Sequence, residues 1–248
     1  MRATTRPGRR RAGLSGLLAA GVALSLSAAG APAGAATSAA TLYREALRTA
    51  DGWSVHYESE TNFDKTPVLE SGDAGPASGT QVVLVRSGST TDQSSIVVIG
   101  GLTYIRANVS ALEDMIGFTQ SEAQAANGQW IVFSSSNASF SAIVAGVRSH
   151  DVLQEVEIQG PYSLGATRTL DGVRVDAIDG TQKLQGQKRM KVVLYVRADG
   201  SHVLVEEDSL GAKGRTDGLE HIVFSKWGEQ VRPHAPQATI TLGNISTT

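Results

Sequence analysis

The chain has no cysteine among its 248 residues. That excludes disulfides and thiolate metal sites, so the domain must be stabilised by its core alone. It also removes the residue on which a lipoprotein anchor is built. Aromatic residues are few, at 5 %, and none interleave with a basic run. Positive charge is scarce as well. Of the 22 Lys and Arg, five (Arg2, Arg6, Arg9, Arg10 and Arg11) fall within the first 36 residues, where there is no acid. The rest of the chain holds 17 basic against 24 acidic residues, a net charge of −7 with histidine neutral. An acidic domain without a basic patch is a poor partner for nucleic acid or for an anionic membrane surface.

Catalytic constellations are missing too. His56, His150, His202, His221 and His234 form no H-x-x-H or H-E-x-x-H pair for a metal. There is no P-loop, G-x-G-x-x-G fingerprint or G-x-S-x-G elbow in the residues after Ala36, and no S-x-x-K at a helix start. Glu206, Glu207 and Asp208 are consecutive in a strand pattern, so they splay to both faces and read as a solubility feature or an edge gatekeeper. No enzyme, no cofactor and no metal is expected.

What is present begins with the parts of a secretory signal. Arg6 and Arg9 to Arg11 precede an Ala/Leu/Val-rich stretch, and Ala33-Gly34-Ala35 offers a small-x-small cleavage site. The apolar run is short and rich in Gly and Ser, which disfavours a retained membrane anchor. Residues 1–36 are therefore expected to be a signal peptide. Residues 37–248, about 210 in all, suit one exported domain, secreted or in the cell envelope, without a lipid anchor.

Along that domain, "TSAATLYREALRTADG" predicts a short amphipathic helix ending at Gly52, and "WSVHYESETNF" alternates as a strand. "DKTPVLESGDAGPASG" is rich in Pro, Gly and Ser and predicts a surface loop. Three strands follow, the last two joined at Gly100-Gly101. Helix signals then take over. Ser110 with Glu113, and Thr119 with Glu122, form capping-box patterns. Phe140, Ile143, Val144 and Val147 recur at helical spacing, and "SHDVLQEVEI" suggests one further short helix. Strand signals return after Tyr162. Strands, a helical block and strands again predict an α+β fold with one antiparallel sheet.

"MKVVLYVRADGSHVLVEED" is a hairpin with Asp199-Gly200 at its tip. A two-residue turn there would place Val196 opposite Val203, Leu194 opposite Val205 and Val192 opposite Glu207, making a dry face. Tyr195 would then face Leu204 on the other side. The dry face opposes Met115, Ile116, Phe118, Phe140, Ile143, Val144 and Val147 of the helical block. Periodicity leaves open whether side chains fill the space between them or a ligand does.

"GTQVVLVRSG", "IVVIGGLTYIRA", "GQWIVF", "YVRADGSHVLVEE" and "IVFSKWGEQVRPHAP" occur in an order that resembles the actinobacterial LppX/LprG-type lipoproteins, which share the LolA-like fold. The resemblance covers roughly Trp53 to Pro236, a domain-sized span. It implies a strongly curved, half-open antiparallel barrel with helices over its concave face. It also implies a hydrophobic cavity between them that holds a lipid or acyl chain. Met115, Ile116, Phe118, Phe140, Ile143, Val144, Val147, Leu194, Val196, Val203 and Val205 would line it, with Trp130 and Trp227 serving as packing. The expected protein is a monomeric, non-catalytic carrier. The chain departs from the family at "AGAATSAA", where those lipoproteins have an acylated cysteine. A second reading of the same fold is an envelope sensor or interaction domain whose partner is another protein.

Overall fold

The computed structural model of the protein describes residues 38–63, 66–137, 141–144, 146–182, 189–210 and 220–245. The chain divides between Ala36 and Thr37, and the account below concerns Thr37–Thr248. Ser38 caps the first helix, α1 (Ala39–Ala50), by accepting from Thr41 N–H, and Gly52 at φ +76° turns the chain away after it. Leu42, Tyr43, Ala46 and Ala50 form its buried stripe, as the amphipathic pattern requires.

Five strands follow: β1 (Val55–Phe63), β2 (Thr66–Ala74), β3 (Gly79–Ser87), β4 (Thr90–Ile99) and β5 (Leu102–Ala107). Gly100 and Gly101, at φ +58° and +83°, make the tight link that pairs Ile99 with Leu102. The helical block is α2 (Val109–Asp114) and α3 (Gln120–Ala126), then β6 (Ile131–Ser134), α4 (Ser141–Val144) and α5 (Ser149–Glu155). The chain ends with β7 (Gln159–Leu164), β8 (Arg168–Leu170), β9 (Val173–Gln182), β10 (Met190–Arg197), β11 (Leu204–Leu210), β12 (Glu220–Ser225) and β13 (Ile240–Thr241).

All these strands join one sheet in the order β13-β6-β5-β4-β3-β2-β1-β12-β11-β10-β9-β7, with β8 also on β9. Every pairing is antiparallel except the short one between β13 and β6. The helices lie on one face. The fold is therefore α+β, a large curved antiparallel sheet forming a half-open barrel with helices over its concave side.

That face carries two apolar clusters. In one, α1 and α5 pack on Tyr57, Leu194, Val196, Leu204, Ile222 and Phe224. In the other, α2 and α3 pack on Val83, Ile96, Val98, Ile105, Ile131 and Phe133. A third, smaller cluster sits on the outer face, where Val175, Ala177, Val193 and Tyr195 are covered and the Arg168 guanidinium lies 3.8 Å from the centre of the Tyr195 ring.

Four expectations need correction. The Pro/Gly/Ser-rich segment is not a surface loop: β2 runs through it, paired with β1 along its whole length and with β3 from Val68 to Ala74. Its glycine has a structural use. A Cβ on Gly72 would meet Thr80 O at 2.6 Å and the Tyr57 ring at 2.8 Å, so the gap admits the tyrosine. Asn108, not Ser110, caps α2, its side chain accepting from Ala111 N–H at 3.1 Å; the Thr119/Glu122 capping box forms as read. The stripe from Phe140 to Val147 is not one helix, because Gly146 at φ +81° interrupts it and α4 ends at Val144.

The fourth correction is the hairpin register. Leu194 faces Glu207 and Val192 faces Ser209, and a bulge between Tyr195 and Val196 brings Val196 opposite Leu204. The turn is longer than two residues. The Asp199 carboxylate accepts from Ser201 N–H at 3.0 Å, Gly200 sits at φ +85°, and His202 takes a further left-handed conformation at φ +54°. Each residue of added turn length shifts the pairing, so the acids move along β11 relative to the apolar row.

Candidate functional site

Strand alternation sends Val192, Leu194 and Val196 of β10 inward, together with Ile178 of β9, Leu204 of β11 and Ile222 of β12. Leu194 and Val196 have 0 % exposure. Across the sheet, Val144 and Val147 are buried in the second cluster, while Met115, Ile116, Phe118 and Ile143 are half-buried against it. Phe140 lies outside the described residues. Val203 is half-buried where the hairpin turn meets β11. Val205 packs on the outer face with Val193 and Tyr195, because the bulge reverses its orientation relative to the dry row.

Apart from Phe140, Val203 and Val205, the structure thus brings the expected residues to two apolar regions on one side of the sheet. Between the regions runs a strip that sequence reasoning did not find. The register places Glu207 and Ser209 of β11, Glu220 of β12, Ser59 and Thr61 of β1, and Glu70 of β2 on the same inward rows. Glu207 has 0 % exposure. Its Oε1 accepts from Ser209 Oγ at 3.1 Å, and its Oε2 has no partner among the described residues. Glu70 accepts from Gln81 Nε2 at 3.1 Å. Gln182 donates to Glu155 O, and its own Oε1 is unpartnered. Glu155 reaches the strip from the end of α5.

Burial is the first cause of unusual titration here. It raises Glu207 well above the ordinary carboxylate range, with Glu220, Asp208 and Glu155 adding repulsion against one Ser209 hydrogen bond. Burial and Glu70 push Glu220 up to about 7, partly offset by Thr61. Glu155 also reaches about 7, through desolvation by surrounding protein and repulsion from Glu70, Glu220 and Asp151. Its side chain keeps a path to solvent, so its shift weighs least. Glu70 is raised by burial against its Gln81 bond. Tyr57, whose hydroxyl donates to Gly146 O at 2.8 Å, is raised as well. The reading of Glu206, Glu207 and Asp208 as a solubility feature or gatekeeper is corrected: β11 is an interior strand, and the middle acid is in the core.

On the outer face, Glu206, Asp208 and His221 bring three potential ligand atoms together. His221 Nδ1 is already 2.9 Å from Asp208 Oδ1, and Arg168 approaches the same carboxylate at 3.8 Å, so Asp208 has partners without an ion. Clefts bounded by described residues also open outward. One of about 420 Å³ is bordered by Leu69, Val82, Leu84 and Val223 on the outside of β2, β3 and β12. Another of about 340 Å³ lies by Arg106, Asn108 and Trp130. Neither is lined by a residue expected to form the cavity.

This architecture defines a class, the half-open antiparallel barrels whose concave face is roofed by helices. Within it, the chain has the fold of LprF from Mycobacterium bovis, with 14 % identity and a TM-score of 0.51 over 79 % of this chain and 96 % of that one. It is also similar to the lipoprotein LppX of Mycobacterium tuberculosis, at 17 % identity and a TM-score of 0.47 over 78 % and 97 % of the two chains. A more distant likeness is to MucB in the MucA/MucB complex of Pseudomonas aeruginosa, at 14 % identity and a TM-score of 0.38 over 85 % and 61 %. No family model matches the chain, and no curated protein matches it in sequence.

Proposed function

We propose that the protein is an exported, non-catalytic carrier that shields a lipid or acyl chain between the curved sheet and its helices. The observation that carries this reading is the graded burial of the second cluster. Val83, Ile96 and Ile105 on the sheet are closed off, while Met115, Ile116, Phe118 and Ile143 above them stay half-exposed together with Val68 and Val85. An apolar rim over an apolar floor is the arrangement an alkyl chain can enter, with about 0.8 kcal/mol gained per methylene removed from water. The fold shared with LprF supports the reading, as does the absence from the sequence of the catalytic motifs sought above.

Fluorescent fatty acyl probe binding tests it. The parent protein is expected to bind the probe. Phe118→Arg is expected to weaken binding at least tenfold, a loss of about 1.4 kcal/mol, while moving the urea midpoint little because the side chain is only half-buried. A parent that binds no probe, and that carries no co-purified lipid in native mass spectrometry, overturns the carrier reading.

Export without a lipid anchor belongs to the same proposal. The mature chain is expected to start near Ala36 or Thr37, and N-terminal sequencing of a membrane fraction that still held residues 1–35 would contradict it.

The outer-face groove bordered by Leu69, Val82, Leu84 and Val223, with Val82 at 38 % exposure, favours a second reading, in which a protein partner docks there. On that reading no lipid is carried, and the acyl-probe result separates the two.

A further inference from the structure

The polar strip on the concave face is costly unless it has a use. Burying a carboxyl beside other carboxyls without a cationic partner works against folding. None of the ion pairs among the described residues includes Glu70, Glu155, Glu207 or Glu220. Among the described residues, the wall around Glu207 supplies no positive charge either. Leu194 faces it from β10 and Ile222 from β12, and the groups that act on it or are acted on by it are Tyr43 of α1, Glu220, Asp208 and Glu155. Four acids from β2, α5, β11 and β12 thus converge between two apolar clusters. The fully buried Glu207 Oε2 and the Gln182 Oε1 have no donor among the described residues.

We propose that this strip receives the ammonium headgroup of a cationic amphiphile whose alkyl part lies along the apolar rim. The inference rests on the carrier reading and narrows it to one ligand class. A cation supplies what the strip lacks: an ammonium group placed among Glu207, Glu220 and Glu155 satisfies several acceptors at once. The two apolar clusters on either side give its hydrocarbon tail somewhere to lie. Because these acids hold their protons to unusually high pH, the arriving cation must displace protons to solvent. Binding therefore strengthens as pH rises from about 5 to about 8.

The test is titration of the folded protein with dodecylammonium and with dodecanol, each below its self-association concentration, at pH 5 and pH 8. At pH 8 the cation is expected to bind about tenfold tighter than the alcohol, and at pH 5 the preference shrinks. Glu207→Gln combined with Glu220→Gln is expected to abolish the preference while leaving dodecanol binding unchanged. If that pair fails to fold, Glu155→Gln, at the accessible end of α5, should still reduce it. Equal binding of cation and alcohol to the parent at pH 8, or a preference that survives these substitutions, overturns this inference and leaves the carrier reading intact. Failure of both compounds and of the acyl probe overturns both.

Discussion

The thermal midpoint of the unliganded protein is expected to fall as pH is raised from about 5 to about 8. Glu155 and Glu220 titrate near 7 in the folded chain and Glu207 well above its ordinary value, whereas in the unfolded chain all three release their protons near 4.5. Between those limits these three groups bind more protons in the folded state than in the unfolded state, so their contribution to stability is fully present below about 4.5 and declines as pH climbs through 7. With the water-accessible Glu155 discounted for screening, the loss is about 2 kcal/mol. That corresponds to roughly 4–8 °C for a domain of this size. Glu207→Gln removes the most deeply buried of these groups and should flatten the curve measured by differential scanning calorimetry. A midpoint that stays level or rises over this range in the parent would mean that the carboxyls are solvated, and the polar strip would then not be interior.

Gly79→Ala is expected to destabilise the domain by about 3 kcal/mol, at the upper end of ordinary overpacking. A Cβ at that position would lie 2.1 Å from Val147 O and 2.7 Å from Asp73 O. Both obstacles are backbone atoms, so neither can step aside by changing rotamer. Val147 is itself fully buried, and the segment after it is tied down by Ser149 N–H donating to Gly75 O at 3.1 Å. Gly243→Ala provides the control, since a Cβ there meets nothing within 4 Å. Equal urea midpoints for the two variants would show that the loop after α4 does not press on β3.

The sheet was legible wherever apolar residues alternated and a turn residue closed the pattern. Gly100-Gly101 gave β4 and β5 correctly, and Thr119 with Glu122 located α3. β2 was hidden because its residues have no strand character of their own. Glu70, Gly72 and Asp73 pair because β1 and β3 flank them on both sides, and Pro67 pairs with β1 alone. In the apolar half of the candidate site, Met115, Ile116 and Phe118 stood out as apolar residues after a capped helix start, although they fall just past the end of α2. The acidic half was not legible. Alternation put Glu207 on the dry face, but its neighbours Glu220, Glu155 and Glu70 come from elements far apart in the chain, and only the pairing of β1 with β2 and β12, and of β11 with β12, brings them together. The sequence signal that could have revealed it is the unbroken run of apolar residues in β10. Such a run belongs to a strand covered on both faces, and an acid paired with it on the helix side is shut off from solvent.

The position of β1 has a consequence for how the chain reaches this structure. β1 is bounded by β2 on one side and by β12 on the other, so Tyr57 pairs with Phe224. Next to that seam, Ser54 Oγ donates to Glu229 O across 175 residues. The two halves of the barrel are thus joined by a contact that cannot form until the last long strand has been made. Closing so large a loop is slow, and it leaves one edge of β1 without a partner throughout synthesis. A chain built this way cannot complete its barrel until β12 is available to pair with β1.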